Sequence, residues 1–340
     1  MNLPDVLAPP VVFTGLFIGL WTWKCMMLVV FQNKIIYMPG LPPNARSETI
    51  ANYQKECGGI EWREDRTAAA DGTHISLCVA SVYSGALSQS RERVYILYFQ
   101  GNASSLPPRL PFLSPIMRML RDAKGASSVQ YIMVCCSYRG YWTSKGRPTE
   151  KGIALDAEAA LHWIEENIER CVEESSGKRP INVVLWGQSI GAGVATYLAS
   201  KQALFSARLT LRTLILETPF VSIRDMLETL YPQKWLPYRY LHPFLRNQLN
   251  SWEALGALKA RCTELDVVPP HVTIVVAGRD ELVPSLQGDM LEERCLQLGL
   301  QVNKMIIPSA YHTEVLIRAG GRLAVVEAIQ YSLPETTVDQ

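Results

Sequence analysis

The chain has 340 residues, 48% hydrophobic and 19% charged. That is a globular composition able to bury a sizeable core, as one large domain with an extension or as about two domains. Lys and Arg number 33 against 32 Asp and Glu, a net charge of +1 with no basic run, which removes the electrostatic ground for nucleic-acid binding.

The first feature in chain order is the apolar run Val11 to Phe31, VVFTGLFIGLWTWKCMMLVVF. As a helix rising about 1.5 Å per residue it is about 31 Å long, enough for a hydrocarbon core of about 30 Å. Its one charge, Lys24, lies past the middle and can snorkel towards the interface. A cleaved signal peptide would need a basic leading segment and a small-residue cleavage site, but Asp5 is the only charged side chain before the run. Residues 1–34 are therefore read as a single-pass transmembrane anchor. Lys34 and Arg46 follow the span and no Lys or Arg precedes it, the pattern of a following domain on the cytoplasmic side; the endoplasmic reticulum or another endomembrane is the expected location. Residues 35–57, with Pro39, Pro42 and Pro43, read as an irregular linker.

Residues 58–335 form the expected globular domain. Ile60–Thr67 and Thr73–Val82 flank Asp71-Gly72, a hairpin signal suited to a type I′ turn. Arg93–Phe99, Val129–Cys136, Ile181–Gly187, Leu211–Glu217, Val272–Gly278 and Val302–Ile307 are near-continuous apolar runs, as buried parallel strands are. Helical patterns fall between them: one after the cap candidate Thr149, with Ile153, Ala157, Ala160, Leu161 and Ile164 at helical spacing, then Ile190–Lys201 and Arg322–Tyr331. Strands alternating with helices give an α/β fold, a mostly parallel eight-stranded sheet with helices on both faces. Residues 218–271 break the alternation with Trp235, Pro237, Tyr238, Tyr240, Phe244 and Trp252. They are too long for an ordinary loop and read as a helical cap insertion, a packing lid or an acyl-binding surface. The eight cysteines form no C-x-x-C pair, so they read as buried apolar side chains in a reducing compartment, with no metal site or cofactor expected.

The chemistry concentrates in Gly187-Gln188-Ser189-Ile190-Gly191, which leaves an apolar strand and opens a helix. That setting is a nucleophile elbow: glycines relieve crowding in a sharp strand-to-helix turn, here Gly191 and Gly193, and the helix terminus adds positive potential near a developing oxyanion. A serine hydroxyl needs a base. Of five histidines, His312 lies in the loop after the last strand, on the side where carboxyl ends of strands open the crevice; His74, His162, His242 and His271 read as structural. The acid that orients the base is Asp280, directly after VTIVVAG, with Glu281 and Glu217 as rivals. Asp156 reads as the partner of a nearby cation. The loop Gln100-Gly101-Asn102-Ala103-Ser104 follows a strand; its Asn102 amide, with that of Ile190, is placed as the oxyanion hole.

With the strings YFQGNA, YRGY, LDAEAA, GQSIGAG, GRDELVP and the His312 loop in hand, the chain resembles the α/β-hydrolase superfamily over roughly residues 30–335. More closely it resembles the membrane-anchored branch of the fungal bud-emergence hydrolases and their animal α/β-hydrolase-domain relatives. The resemblance implies a serine hydrolase of lipid-like or acylated substrates, cleaving carboxylic esters or, as in depalmitoylating relatives with a GQSIG elbow, thioesters. One departure stands out: the branch carries His-Gly-Asn where this chain has Gln100-Gly101-Asn102, so an altered loop is expected. That departure also motivates a different class of function, a catalytically silent membrane-tethered scaffold. The expected partners are the substrate and the membrane; no protein partner is indicated.

Overall fold

The structure, a computed structural model, describes residues 8–85, 92–123, 128–172, 181–206 and 208–333. Helix α1 (Ala8–Val30) is followed by two short helices, α2 (Gln32–Tyr37) and α3 (Ile50–Tyr53). Strands β1 (Arg63–Ala68) and β2 (His74–Ser84) lead to β3 (Glu92–Phe99), α4 (Leu110–Asp122), β4 (Val129–Ser137) and α5 (Glu150–Val172). Then come β5 (Ile181–Gln188), α6 (Ile190–Ser200), β6 (Leu209–Glu217), α7 (Ile223–Leu230) and α8 (Ser251–Glu264). The chain closes with β7 (His271–Ala277), α9 (Ser285–Gln297), β8 (Val302–Ile307) and α10 (Ala319–Gln330).

The eight strands form one sheet in the order β1-β2-β4-β3-β5-β6-β7-β8. Only β2 runs against its neighbours, pairing antiparallel with β1 and β4; the six from β4 to β8 are parallel. Alternate residues of each strand feed opposite faces. Tyr95, Leu97 and Phe99 of β3 join the core under α5, α6, α8 and α9. Val94, Ile96 and Tyr98 join the core under α4 and α10. This double burial is why the central strands are apolar throughout. Because they are parallel, the loops after β3, β5, β7 and β8 all leave at one rim of the sheet.

The hairpin between β1 and β2 differs from expectation. The Gly72 amide donates to the Ala69 carbonyl at 2.8 Å, and the Ala69 amide to the Thr73 carbonyl at 2.9 Å. Gly72 has φ +80° while Asp71 is not among the positive-φ residues, so this is a five-residue loop with one left-handed residue, where a type I′ turn needs two. Asp71 instead turns its carboxylate inward, accepting from the Thr73 amide at 3.1 Å and from both Arg139 terminal nitrogens at 2.7 and 3.2 Å.

Arg139 is the hub of that corner. It also meets Asp156, whose Oδ1 lies 3.0 Å from Nε and whose Oδ2 accepts the Arg139 amide at 2.7 Å. Asp156, expected to pair with a cation, is wholly buried; burial raises its pKa while Arg139 opposes the rise. The pair ties the front hairpin, the end of β4 and α5 together. Thr149 caps α5 as expected, its hydroxyl accepting from the Gly152 amide at 3.1 Å.

Two stretches pack otherwise than the sequence suggests. Residues 35–57, expected to be an irregular linker that climbs onto the domain, carry the end of α2 and all of α3 and pack into the domain: Tyr37 and Cys57 are fully buried. And α8, inside the expected 218–271 insertion, packs Leu255, Leu258 and Cys262 into the main core beside α6 and α9. It is therefore the ordinary crossover between β6 and β7, and the segment lying over the rim of the sheet shortens to residues 218–250. Among the described cysteines, Cys25, Cys57, Cys78, Cys135, Cys136, Cys262 and Cys295 are free thiols, six of them buried.

Arg139→Ala should leave the Asp156 carboxylate buried without its cation, a loss of about 3–5 kcal/mol. Thermal unfolding in detergent would register this as a large drop in midpoint, mostly recovered in the double variant Arg139→Met, Asp156→Leu.

Candidate active site

Strand β5 is buried along its whole length and ends at Gln188. Ser189 then takes φ 53° and ψ −118°, and α6 begins at the next residue. A non-glycine residue with positive φ carries strain that its surroundings must hold in place. The Ser189 amide is fixed by the last carbonyl of β6, that of Glu217, at 2.9 Å. Closeness of approach does the rest: a Cβ on Gly187 would lie 2.1 Å from the Gly191 carbonyl oxygen, and one on Gly191 would lie 2.1 Å from that of Phe99. Gly187 and Gly191 thus let the elbow fold onto the end of β3. Gly193 has a looser role, since a Cβ there would meet Leu249 at 3.1 Å.

Asp280 lies just beyond β7 and His312 beyond β8. The His312 Nδ1 sits 2.9 and 2.8 Å from the two Asp280 carboxylate oxygens, and both side chains are almost completely buried. Asp280 Oδ1 also accepts the Leu282 and Val283 amides at 2.9 and 2.8 Å, which locks the carboxylate in place. The rivals are accounted for separately. Glu281 accepts the His312 backbone amide at 3.0 Å, so it holds the loop while Asp280 holds the ring. Glu217 is spent on Trp186 Nε1 and Gln188 Nε2 at 3.0 and 2.9 Å.

Ser189, Ile190, Asn102 and His312 line one cavity of about 290 Å³. Ile190 opens α6, where first-turn amides have no partner within the helix. The other histidines lie elsewhere: His74 and His271 start β2 and β7, His162 sits on α5 with Glu165 at 3.5 Å, and His242 is in the covering segment.

The Asn102 loop is held in an unexpected way. Gln100 is fully buried, and neither polar atom of its side chain has a hydrogen-bond partner among the described residues, so its side chain does not hold the loop by hydrogen bonding. Support comes instead from the loop's backbone. The Tyr138 hydroxyl donates to the Gln100 carbonyl at 2.9 Å, and the Ala103 amide donates to the Tyr37 carbonyl at 3.0 Å. Arg109 bridges loop and elbow: one terminal nitrogen donates to Gln188 Oε1 at 2.7 Å, the other to the Asn102 and Ala103 carbonyls at 3.3 and 3.4 Å. This Arg109–Gln188–Glu217 chain escaped the sequence reading; the only hint was an Arg beyond the loop and a polar residue inside an apolar strand end.

No protein-family model matches the chain. The α/β-hydrolase domain-containing protein WAV2 of Arabidopsis thaliana is 25% identical over 305 residues, covering 86% of this chain and 85% of that protein. Protein bem46 of Schizosaccharomyces pombe is 32% identical over 213 residues, 60% of this chain and 59% of its own length. Among solved structures, the Pyrococcus furiosus esterase Pf2001 superposes with a TM-score of 0.52 at 17% identity, covering 82% of this chain and 92% of the esterase. The chain has the α/β-hydrolase fold and is similar to the bem46 and ABHD branch of that superfamily. The lysophosphatidylserine lipase ABHD12 of Danio rerio, another relative of this hydrolase, is 32% identical over 202 residues, and the match spans 47% of its length.

Burial pushes the Glu217 pKa up to about 7, against the hydrogen bonds from Gln188 and Trp186 and the electrostatic pull of Arg109 and His312. The folded hydrolase therefore keeps this proton to a higher pH than the unfolded chain does. The stability it contributes is full below the ordinary value of 4.5 and is lost as the pH rises through about 7. Unfolding midpoints measured across that window should fall with rising pH in the parent chain and stay flatter in Glu217→Gln.

Proposed function

We propose that this α/β-hydrolase is a membrane-held serine hydrolase cleaving carboxylic ester or thioester bonds of lipid-like acyl substrates. The observation that carries the reading is the His312 ring held by Asp280 at 2.8 Å in a cavity that also exposes the elbow serine. With Nδ1 engaged, Nε2 is the nitrogen left to act as base.

In the first half-reaction His312 takes the Ser189 proton as Oγ attacks the acyl carbon. The carbonyl oxygen becomes an oxyanion, which the Ile190 and Asn102 amides receive. Collapse expels the alcohol or thiol, which leaves with the proton His312 carried. In the second, His312 takes a proton from water, hydroxide adds to the acyl-enzyme, and the acid is released as Ser189 regains its proton. Asp280 fixes the ring orientation and stabilises its charged form.

Three features support a membrane-borne lipid as substrate. Helix α1 is the one helix among the described residues long and apolar enough to cross a bilayer. The cavity wall is overwhelmingly apolar. One relative is by name a lysophosphatidylserine lipase. Free thiols at seven described cysteines suit a domain on the reducing face of an endomembrane.

Ser189→Ala should abolish fluorophosphonate labelling and lower ester turnover by at least about 10³-fold, and Asp280→Asn should lower kcat by roughly 10⁴-fold through the wrong ring tautomer. A parent chain that neither labels nor turns over would favour the silent scaffold that Gln100 motivates.

A further inference from the structure

Helix α1 does not stand clear of the rest of the molecule. Residues 9–20 are exposed, but Trp21, Cys25, Met27, Leu28 and Val29 are half-buried; Trp21, Cys25, Leu28 and Val29 among them follow the spacing of one helical face. That face meets the covering segment. Trp21 stacks on Trp235 with ring centroids 5.7 Å apart, and Lys24 Nζ lies 4.4 Å from the Tyr238 ring centre. At the helix end Arg246 donates to the Val29 and Val30 carbonyls, each at 3.1 Å, capping the negative end of the helix.

A polar clamp locks the contact. Gln32, 4% exposed, donates to the Val29 and Phe244 carbonyls at 2.9 and 3.1 Å and accepts the Arg246 amide at 2.7 Å. Asn247 donates to Asn33 at 2.7 Å and accepts from the Tyr37 hydroxyl and the Glu150 amide, both at 3.0 Å. With the two elements joined this way, Leu28 and Val29 of α1, Ile36 of α2, and Met226 and Leu230 of α7 line the same cavity as Ser189 and His312.

The helix length sets the depth. The exposed stretch of α1 covers about 18 Å, against a hydrocarbon core of about 30 Å. Where α1 by itself supplies the crossing, the turns from Trp21 to Leu28, about 12 Å, are immersed as well, together with the segment packed on them. That segment is dressed for it: Leu230, Trp235, Tyr240 and Phe244 are each more than half exposed, which apolar and aromatic side chains are when they face the boundary of a leaflet.

We infer that the last turns of the anchor are a wall of the acyl-binding site, and that the site takes a single acyl chain directly from within the leaflet. The inference rests on the membrane-held hydrolase reading above and adds the entry route and the residues that set chain selection. At about 290 Å³ the cavity sits at the small end of ligand pockets, which favours one chain over two.

The test uses the full chain carrying Ser189→Ala in phosphatidylcholine vesicles, with a hexadecanoic acid bearing a terminal photoactivatable diazirine. Adducts should map to Leu28, Val29 and the α7 peptide. The double variant Leu28→Trp, Val29→Trp should cut them at least fivefold, while Leu16→Trp on the exposed stretch changes nothing. With Ser189 restored, the same double variant should lower the ratio of hexadecanoyl to acetyl ester kcat/KM at least tenfold. Adducts confined to residues 9–20, or a yield and ratio indifferent to the double variant, overturn the inference. Labelling does not require turnover, so a chain that is labelled at these turns but cleaves nothing overturns only the hydrolase reading. A chain that cleaves a short ester but is not labelled there overturns only the wall.

Discussion

The whole site is hung on one steric concession, the approach of α6 to the end of β3. Gly191 lies so close to the Phe99 carbonyl that any side chain there would collide with it, and Gly187 makes the matching concession within the elbow. Only with both glycines can Ser189 keep its positive φ and stand above the sheet. The same approach brings the loop after β3 against the elbow, so that Arg109 can join Gln188 to the Asn102 and Ala103 carbonyls. Ser189 and the Asn102 loop are thus positioned by one contact, while His312 and Asp280 arrive separately on the loops after β8 and β7.

Polar burial around this centre follows a division of labour. Asp280 is satisfied by two backbone amides and one imidazole, which leaves it no freedom to do anything except hold His312. Glu217, equally buried, is held by Trp186 and Gln188, and its raised pKa reflects a carboxylate wedged into the sheet for support of the elbow. Arg139 and Asp156 perform the same bracing at the far corner, away from the cavity. Three buried carboxylates therefore sit in three distinct electrostatic settings, and only one of them touches an imidazole.

The sheet and the closeness of Asp280 to His312 were readable from the chain because parallel strands buried on both faces have no polar positions to blur them, and because the elbow and the Asp280 and His312 loops lie within a few residues of strand ends. What could not be read has a common cause: partners distant in sequence. Gln32 and Asn33 look like linker residues until Arg246 and Asn247, more than two hundred positions away, close on them. Helix α8 was hidden among aromatic neighbours whose destination is the rim, although its own Leu255 and Leu258 belong to the main core. The hairpin turn depended on Asp71 being drawn to Arg139, a pull that local propensity does not contain. Gln100 resembles a conservative stand-in for histidine by its hydrogen-bonding capacity, yet in the folded chain the loop is carried by backbone groups and Arg109.

The joint built from Gln32, Asn247 and Arg246 has a mechanical meaning. A domain on a slack tether samples many heights and tilts, and its reach is a matter of chain statistics. Here the helix axis is bolted to the body, so the distance of Ser189 from any bilayer that α1 enters is a fixed dimension of the molecule.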